Sequence, residues 1–146
     1  MKNEQNLSAE GSVLINSDVK RIWNTLTNPA KIQLYLFESN VETDWKVGSP
    51  ITFTRDWNGT QYQDKGTVLE HEESKLLKFS YWSSQEGYAD IPENYSIITY
   101  RLDGEDSKSV KLTYLREKIP IEFEQKNQER YLPVLLENIK RIAEEE

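Results

Sequence analysis

The chain has 146 residues, enough for one domain with a core of its own, and its 29% charged residues sum to a net charge of -7. The absence of cysteine excludes disulfides and thiolate metal sites, and a single histidine, His71, excludes a histidine-rich metal centre. No run of Lys and Arg offsets the acidic balance, so a nucleic-acid partner is not expected. No stretch approaches the roughly 20 apolar residues that a membrane span needs. A soluble, cytoplasmic protein is the expectation.

Residues 1–10 are polar and read as a flexible or partly ordered leader, followed by a short strand over Gly11 to Asn16. Ser17 and Asp18 then supply a cap and a negative charge at a helix start. Val19, Ile22, Trp23 and Leu26 recur at helical spacing until Asn28 and Pro29 stop the helix, and Pro29 can open a second short one through about Tyr35. From Asn40 to Lys118 the signal changes to period-two alternation of aromatic and β-branched residues, which predicts antiparallel strands. Ile51 and Phe53 alternate with Thr52 and Thr54, and Leu77, Phe79 and Tyr81 with Lys78 and Ser80. Ile98, Tyr100 and Leu102, then Val110, Leu112 and Tyr114, continue the pattern. Asn58-Gly59 marks a tight hairpin and Asp103 to Ser107 another turn. The last stretch, Gln128 to Glu146, places Tyr131, Leu132, Leu135, Leu136, Ile139, Ile142 and Ala143 on one helical stripe. Pro133 inside it predicts a kink, or a helix that starts near that residue. The order of elements gives an α+β domain whose curved sheet receives the terminal helix.

Several words of the sequence, in this order, carry a resemblance: DVKRIWNTLTNPAKI from Asp18, DWKVGSPITF from Asp44, DKGTVLEHEESKLLKFSYWS from Asp64, DIPENYSIITYRL from Asp90 and LPVLLENIKRI from Leu132. Together they resemble the helix-grip family of START-like (SRPBCC) domains, in particular the branch named after the activator of Hsp90 ATPase homologue. Tyr131 and Tyr81 stand where that family often has Trp. The resemblance covers nearly the whole chain from about Val13. It implies one START-like domain over residues 1–146, in the helix-grip fold: an antiparallel sheet of about six or seven strands curved around a long C-terminal helix, with two short helices after the first strand.

The resemblance also implies a cavity between sheet and helix for an apolar or amphipathic small molecule. Strand parity offers Phe53, Phe79, Tyr81, Tyr100, Leu112 and Tyr114 to that space, facing Leu135, Ile139 and Ile142 of the helix. The other reading of these residues is a filled aromatic core. Inward tyrosines need acceptors, water or a polar ligand group. Arg55 shares the parity of Phe53, and inside the fold it would need an anion; past the strand end it would be solvated. Glu70 shares parity with Gly66 and Val68 and could pair with Arg55, or lie in solvent. His71 sits among Glu70, Glu72 and Glu73, where a solvated position is expected. The run Asp90 to Tyr95 reads either as a lid at the cavity mouth, together with Ser83 to Gly87, or as a plain strand-entry turn. Leu69, Trp82 and Leu115 break the polar alternation on the outer face and offer a homodimer or partner surface.

No nucleophile, phosphate-loop or metalloprotease motif is present, so no catalytic residue, metal or cofactor is assigned. Three function classes follow: a small-molecule binding module, an Hsp90 co-chaperone-like interaction domain, and an enzyme resembling the aromatase/cyclases of the same fold.

Overall fold

In the computed structural model, residues 7–36, 39–104 and 108–145 are described. The first six residues of the leader, and the last three of the Asp103 to Ser107 turn, lie outside them. Seven strands form one antiparallel sheet: β1 (Leu7–Ile15), β2 (Asn40–Glu42), β3 (Pro50–Trp57), β4 (Thr60–Glu72), β5 (Leu76–Ser83), β6 (Ser96–Asp103) and β7 (Val110–Ile119), in the order β1-β7-β6-β5-β4-β3-β2. Helices α1 (Val19–Thr27) and α2 (Pro29–Tyr35) follow β1, and α3 (Glu122–Glu144) follows β7. This is the helix-grip α+β architecture. No helix among the described residues is long and apolar enough to cross a membrane.

The two short helices are set by three residues. Asp18 caps α1 by accepting the Arg21 amide at 2.9 Å. Asn28 ends α1 by donating its amide to Asn24 at 2.9 Å, while its side chain accepts the Ala30 amide at 3.0 Å and caps α2, which Pro29 opens. Tyr35 then locks the pair together, its buried hydroxyl donating to the Leu26 carbonyl at 2.9 Å.

Three elements depart from the sequence reading. β1 starts at Leu7 rather than Gly11, because the polar residues Ser8 and Glu10 alternate with Ala9, which is buried against β7. α3 starts at Glu122 rather than Gln128 and continues through Pro133, whose side chain is exposed. Its first turn holds Glu122 and Glu124, favourable at a helix N-terminus. β4 carries a register shift between Val68 and Glu70, so Val68 pairs with Phe79 but Glu70 pairs with Lys78 and His71 with Leu77. The extra residue turns Glu70 outward, where its carboxylate lies 3.5 Å from the Lys78 ammonium, and excludes the pairing with Arg55. His71 takes the inner position instead, half-buried with its ring 5.5 Å from that of Trp23.

Gly66 sits beside this irregularity, and a Cβ there would fall 1.7 Å from the Ser80 carbonyl oxygen. The other close approach is at Gly11, where a Cβ would meet Leu136 of α3 at 3.0 Å. α3 therefore lies tight over β1 through Leu132 and Leu136. A different flank of the same helix faces the rest of the sheet.

Candidate functional site

Between the N-terminal half of α3 and the concave face of the sheet lies a cavity of about 360 Å³. Its walls are largely aromatic: Phe53 from β3, Phe79 and Tyr81 from β5, Tyr100 from β6, Tyr114 from β7 and Tyr131 from α3, with Leu36, Ile98 and Leu135 between them. The rings form a continuous chain. Phe53 lies 5.9 Å from Phe79 and 6.2 Å from Tyr81, Phe79 stacks on Tyr100 at 6.4 Å, and Tyr100 meets Tyr114 edge-on at 5.2 Å. Period-two alternation on β3, β5, β6 and β7 puts them on one face.

One end of the cavity is polar and is built around Arg116 of β7, which is 4% exposed. Its Nε donates to Ser96 Oγ at 2.8 Å and its Nη1 to Gln128 Oε1 at 3.0 Å. Its Nη2 donates to both oxygens of Glu86, at 3.0 and 3.2 Å. The guanidinium also lies 5.2 Å from the centre of the Tyr81 ring. Burial is the largest influence and opposes its charge, but Glu86, Tyr114 and Tyr81 together outweigh it and hold Arg116 more firmly protonated than usual. Glu86 comes from a single 3₁₀ turn, Ser84–Glu86, positioned by Ser83, whose side chain accepts the Gln85 amide. Glu124, in the first turn of α3, is held above the usual carboxylate range by burial and then by its neighbour Glu86. The Tyr88 hydroxyl, beside this cluster, is buried with no hydrogen-bond partner among the described residues, and burial with the nearby carboxylates pushes its phenol up to about 12.

Of the residues expected from the sequence, Phe53, Arg55, Phe79, Tyr81, Tyr100, Tyr114 and Leu135 line the cavity. Leu112, Ile139 and Ile142 do not: all three are buried side chains of the hydrophobic core. Arg55 is half-buried and donates to Gln85. Tyr81 donates to Asp64 at 2.7 Å and Tyr114 to Gln128 at 3.3 Å.

Sequence reasoning missed Asp64, Glu86, Arg116, Glu124, Asn127 and Gln128, all of which line the cavity. Arg116 was within reach, since it continues the inward parity of Leu112 and Tyr114. Asp64 was also within reach through its pairing opposite Phe53. The α3 residues gave no such signal, because polar side chains on the cavity flank interrupt the apolar stripe.

The Asp90 to Tyr95 run is a strand-entry turn on the outer face rather than a lid. Tyr95 stacks on Trp82 at 6.5 Å, and Asp90 pairs with Lys65, which itself lies over Trp82 at 5.6 Å. These contacts cover much of Trp82, leaving Leu69 as the exposed member of the outer apolar group. Only the Ser83 to Gly87 part of the expected lid reaches the cavity, through Glu86. No cluster of three or more potential metal-ligating side chains occurs among the described residues. The arrangement suits an apolar body with hydrogen-bonding groups at its ends.

The model of the family described as activator of Hsp90 ATPase homolog 1-like protein matches residues 16–144, and the chain belongs to that family. The solution structure of ChR145 from Cytophaga hutchinsonii is 35% identical with a TM-score of 0.82, over 98% of this chain and 97% of that one. The Aha1 dimer from Colwellia psychrerythraea shares the fold at 15% identity and a TM-score of 0.70, over 94% and 96% of the two chains. DynU16, a protein in the dynemicin biosynthetic locus, shares it at 14% identity and a TM-score of 0.74, over 94% of this chain and 47% of that one. No curated protein gives a significant match.

Proposed function

We propose that this member of the family is a binding module that holds an apolar or amphipathic small molecule in the cavity between the sheet and α3. The observation that carries the reading is a space of about 360 Å³, walled by stacked aromatic rings and closed at one end by the buried Arg116 network. That volume falls within the range of small-molecule sites, whereas side chains that serve only as core pack with few voids larger than a water molecule. Ligand at a hundredfold excess over its dissociation constant stabilises the fold by about 2.7 kcal/mol, roughly 5 to 10 °C in Tm for a domain of this size. A thermal-shift screen of lipid-like and aromatic compounds tests this, with Phe79→Trp as a variant that fills the cavity. Hits that stabilise the wild type but not the filled variant are expected. A screen without hits, or hits that bind the filled variant equally well, would sink the proposal.

The family description favours a second reading, contact with Hsp90, for which the exposed Ile121 and Phe123 at the start of α3 offer apolar anchors. Co-purification and stimulation of Hsp90 ATPase are its test, and the absence of both removes it.

A further inference from the structure

The cavity tyrosines do not all have the same hydrogen-bonding state. Tyr81 donates to Asp64 and Tyr114 to Gln128, so both hydroxyl protons are engaged. Tyr100 is different: it is 5% exposed, it lines the cavity, and its hydroxyl has no hydrogen-bond partner among the described residues. The hydroxyl oxygen is not among the sealed unpartnered atoms of the interior, so it opens onto the cavity. Burial keeps its phenol protonated at any physiological pH. A buried phenol in that state is a donor without an acceptor.

The charges nearby define what that acceptor is. Arg116 is already paired with a carboxylate, its Nη2 donating to both Glu86 oxygens, while its Nε and Nη1 donate to Ser96 and Gln128. Asp64, Glu86 and Glu124 line the same space and oppose a further negative charge brought into it. Arg55, the other lining cation, is half-exposed and two residues along β3 from Phe53, away from Tyr100.

Resting on the binding reading above, we infer that the ligand enters with a neutral carbonyl oxygen leading, and that Tyr100 is the specificity-determining donor to that oxygen. The apolar remainder lies along Phe79 and Phe53 toward the mouth.

The probes are an isosteric trio: methyl nonyl ketone, the alkene in which its carbonyl oxygen is replaced by a methylene group, and decanoate, in which the methyl group is replaced by an oxygen anion. Each is titrated against wild type and Tyr100→Phe, following backbone amide shifts by NMR. The ketone is expected to bind wild type roughly three- to tenfold more tightly than the alkene, the effect of one neutral hydrogen bond, and more tightly than decanoate. Tyr100→Phe abolishes the difference between ketone and alkene. Its Tm is at least that of wild type, because the hydroxyl has no protein partner to lose. Equal binding of ketone and alkene to wild type, a ketone preference that survives in Tyr100→Phe, or decanoate binding as tightly as the ketone overturns the inference but leaves the cavity as a binding site. A Tm loss of several degrees in Tyr100→Phe also overturns it, since the hydroxyl would then have a protein partner. If none of the three probes binds, the inference and the binding reading fall together.

Discussion

Removing Arg116 should be among the most damaging single changes in this protein. Arg116→Ala deletes a guanidinium that is 5% exposed on its side chain and leaves its partner, the Glu86 carboxylate, 15% exposed with no counter-charge. It also takes the donor from the fully buried Ser96 and one of the two donors from Gln128. Breaking a buried pair in this way costs about 3 to 5 kcal/mol, because a charge is left stranded. At about 2 to 4 °C per kcal/mol for a domain of this size, Tm should fall by roughly 6 to 20 °C. Urea denaturation at neutral pH measures the loss directly. The double variant Arg116→Met with Glu86→Leu removes both charges and should recover most of it, since well-packed apolar replacements of a buried pair are often neutral. As a surface control, Lys78→Ala breaks the solvent-facing pair with Glu70 and should cost below about 1 kcal/mol. The reasoning fails if Arg116→Ala lies within about 1 kcal/mol of wild type, or if the double variant is no more stable than the single one.

Glu124 has a folded-state pKa raised by burial and by Glu86, so the fold favours its protonated form. Its contribution is complete at low pH and is lost as pH rises through the folded value. Glu124→Gln should therefore be more stable than wild type at neutral pH, with the difference closing below roughly pH 4 in a pH series of urea melts; a constant difference across that range contradicts the assignment. Gly66→Ala places a Cβ 1.7 Å from a backbone oxygen of β5, a clash only main-chain movement can relieve, and should cost at least 2 to 3 kcal/mol, roughly the cost of overpacking. A circular-dichroism melt within a degree or two of wild type would contradict it. Pro133→Ala restores a backbone donor in the interior of α3, at an exposed position on the flank next to β1, and should stabilise by as much as about 3 kcal/mol. Pro133 does not line the cavity, so ligand affinity should not change; a change beyond about twofold in an NMR titration contradicts this.

The aromatic wall was legible because alternation along β3, β5, β6 and β7 is a local pattern, and Phe53, Phe79, Tyr81, Tyr100 and Tyr114 obey it. Two kinds of feature were not. The shift in β4 exchanges the faces of Glu70 and His71 through one unpaired residue, and a strand's own sequence carries no record of where its partner slips. The Ser80 carbonyl at the position of its absent Cβ shows why glycine is required at Gly66. The second kind is the polar lining itself. Arg116 obeys the alternation and was passed over because charge is read as exposure. Glu124 and Gln128 lie on the cavity flank of α3 at the spacing an apolar stripe would use, and so hid the first turns of the helix. Both errors share one physical cause. Patterning rules assume that what faces inward is apolar, and they fail where inward-facing groups are hydrogen-bonded to one another or left open to a cavity. In this chain those failures converge on Glu86, Arg116, Glu124 and Gln128, so the residues hardest to read as core are the ones that distinguish the cavity's polar end from a packing defect.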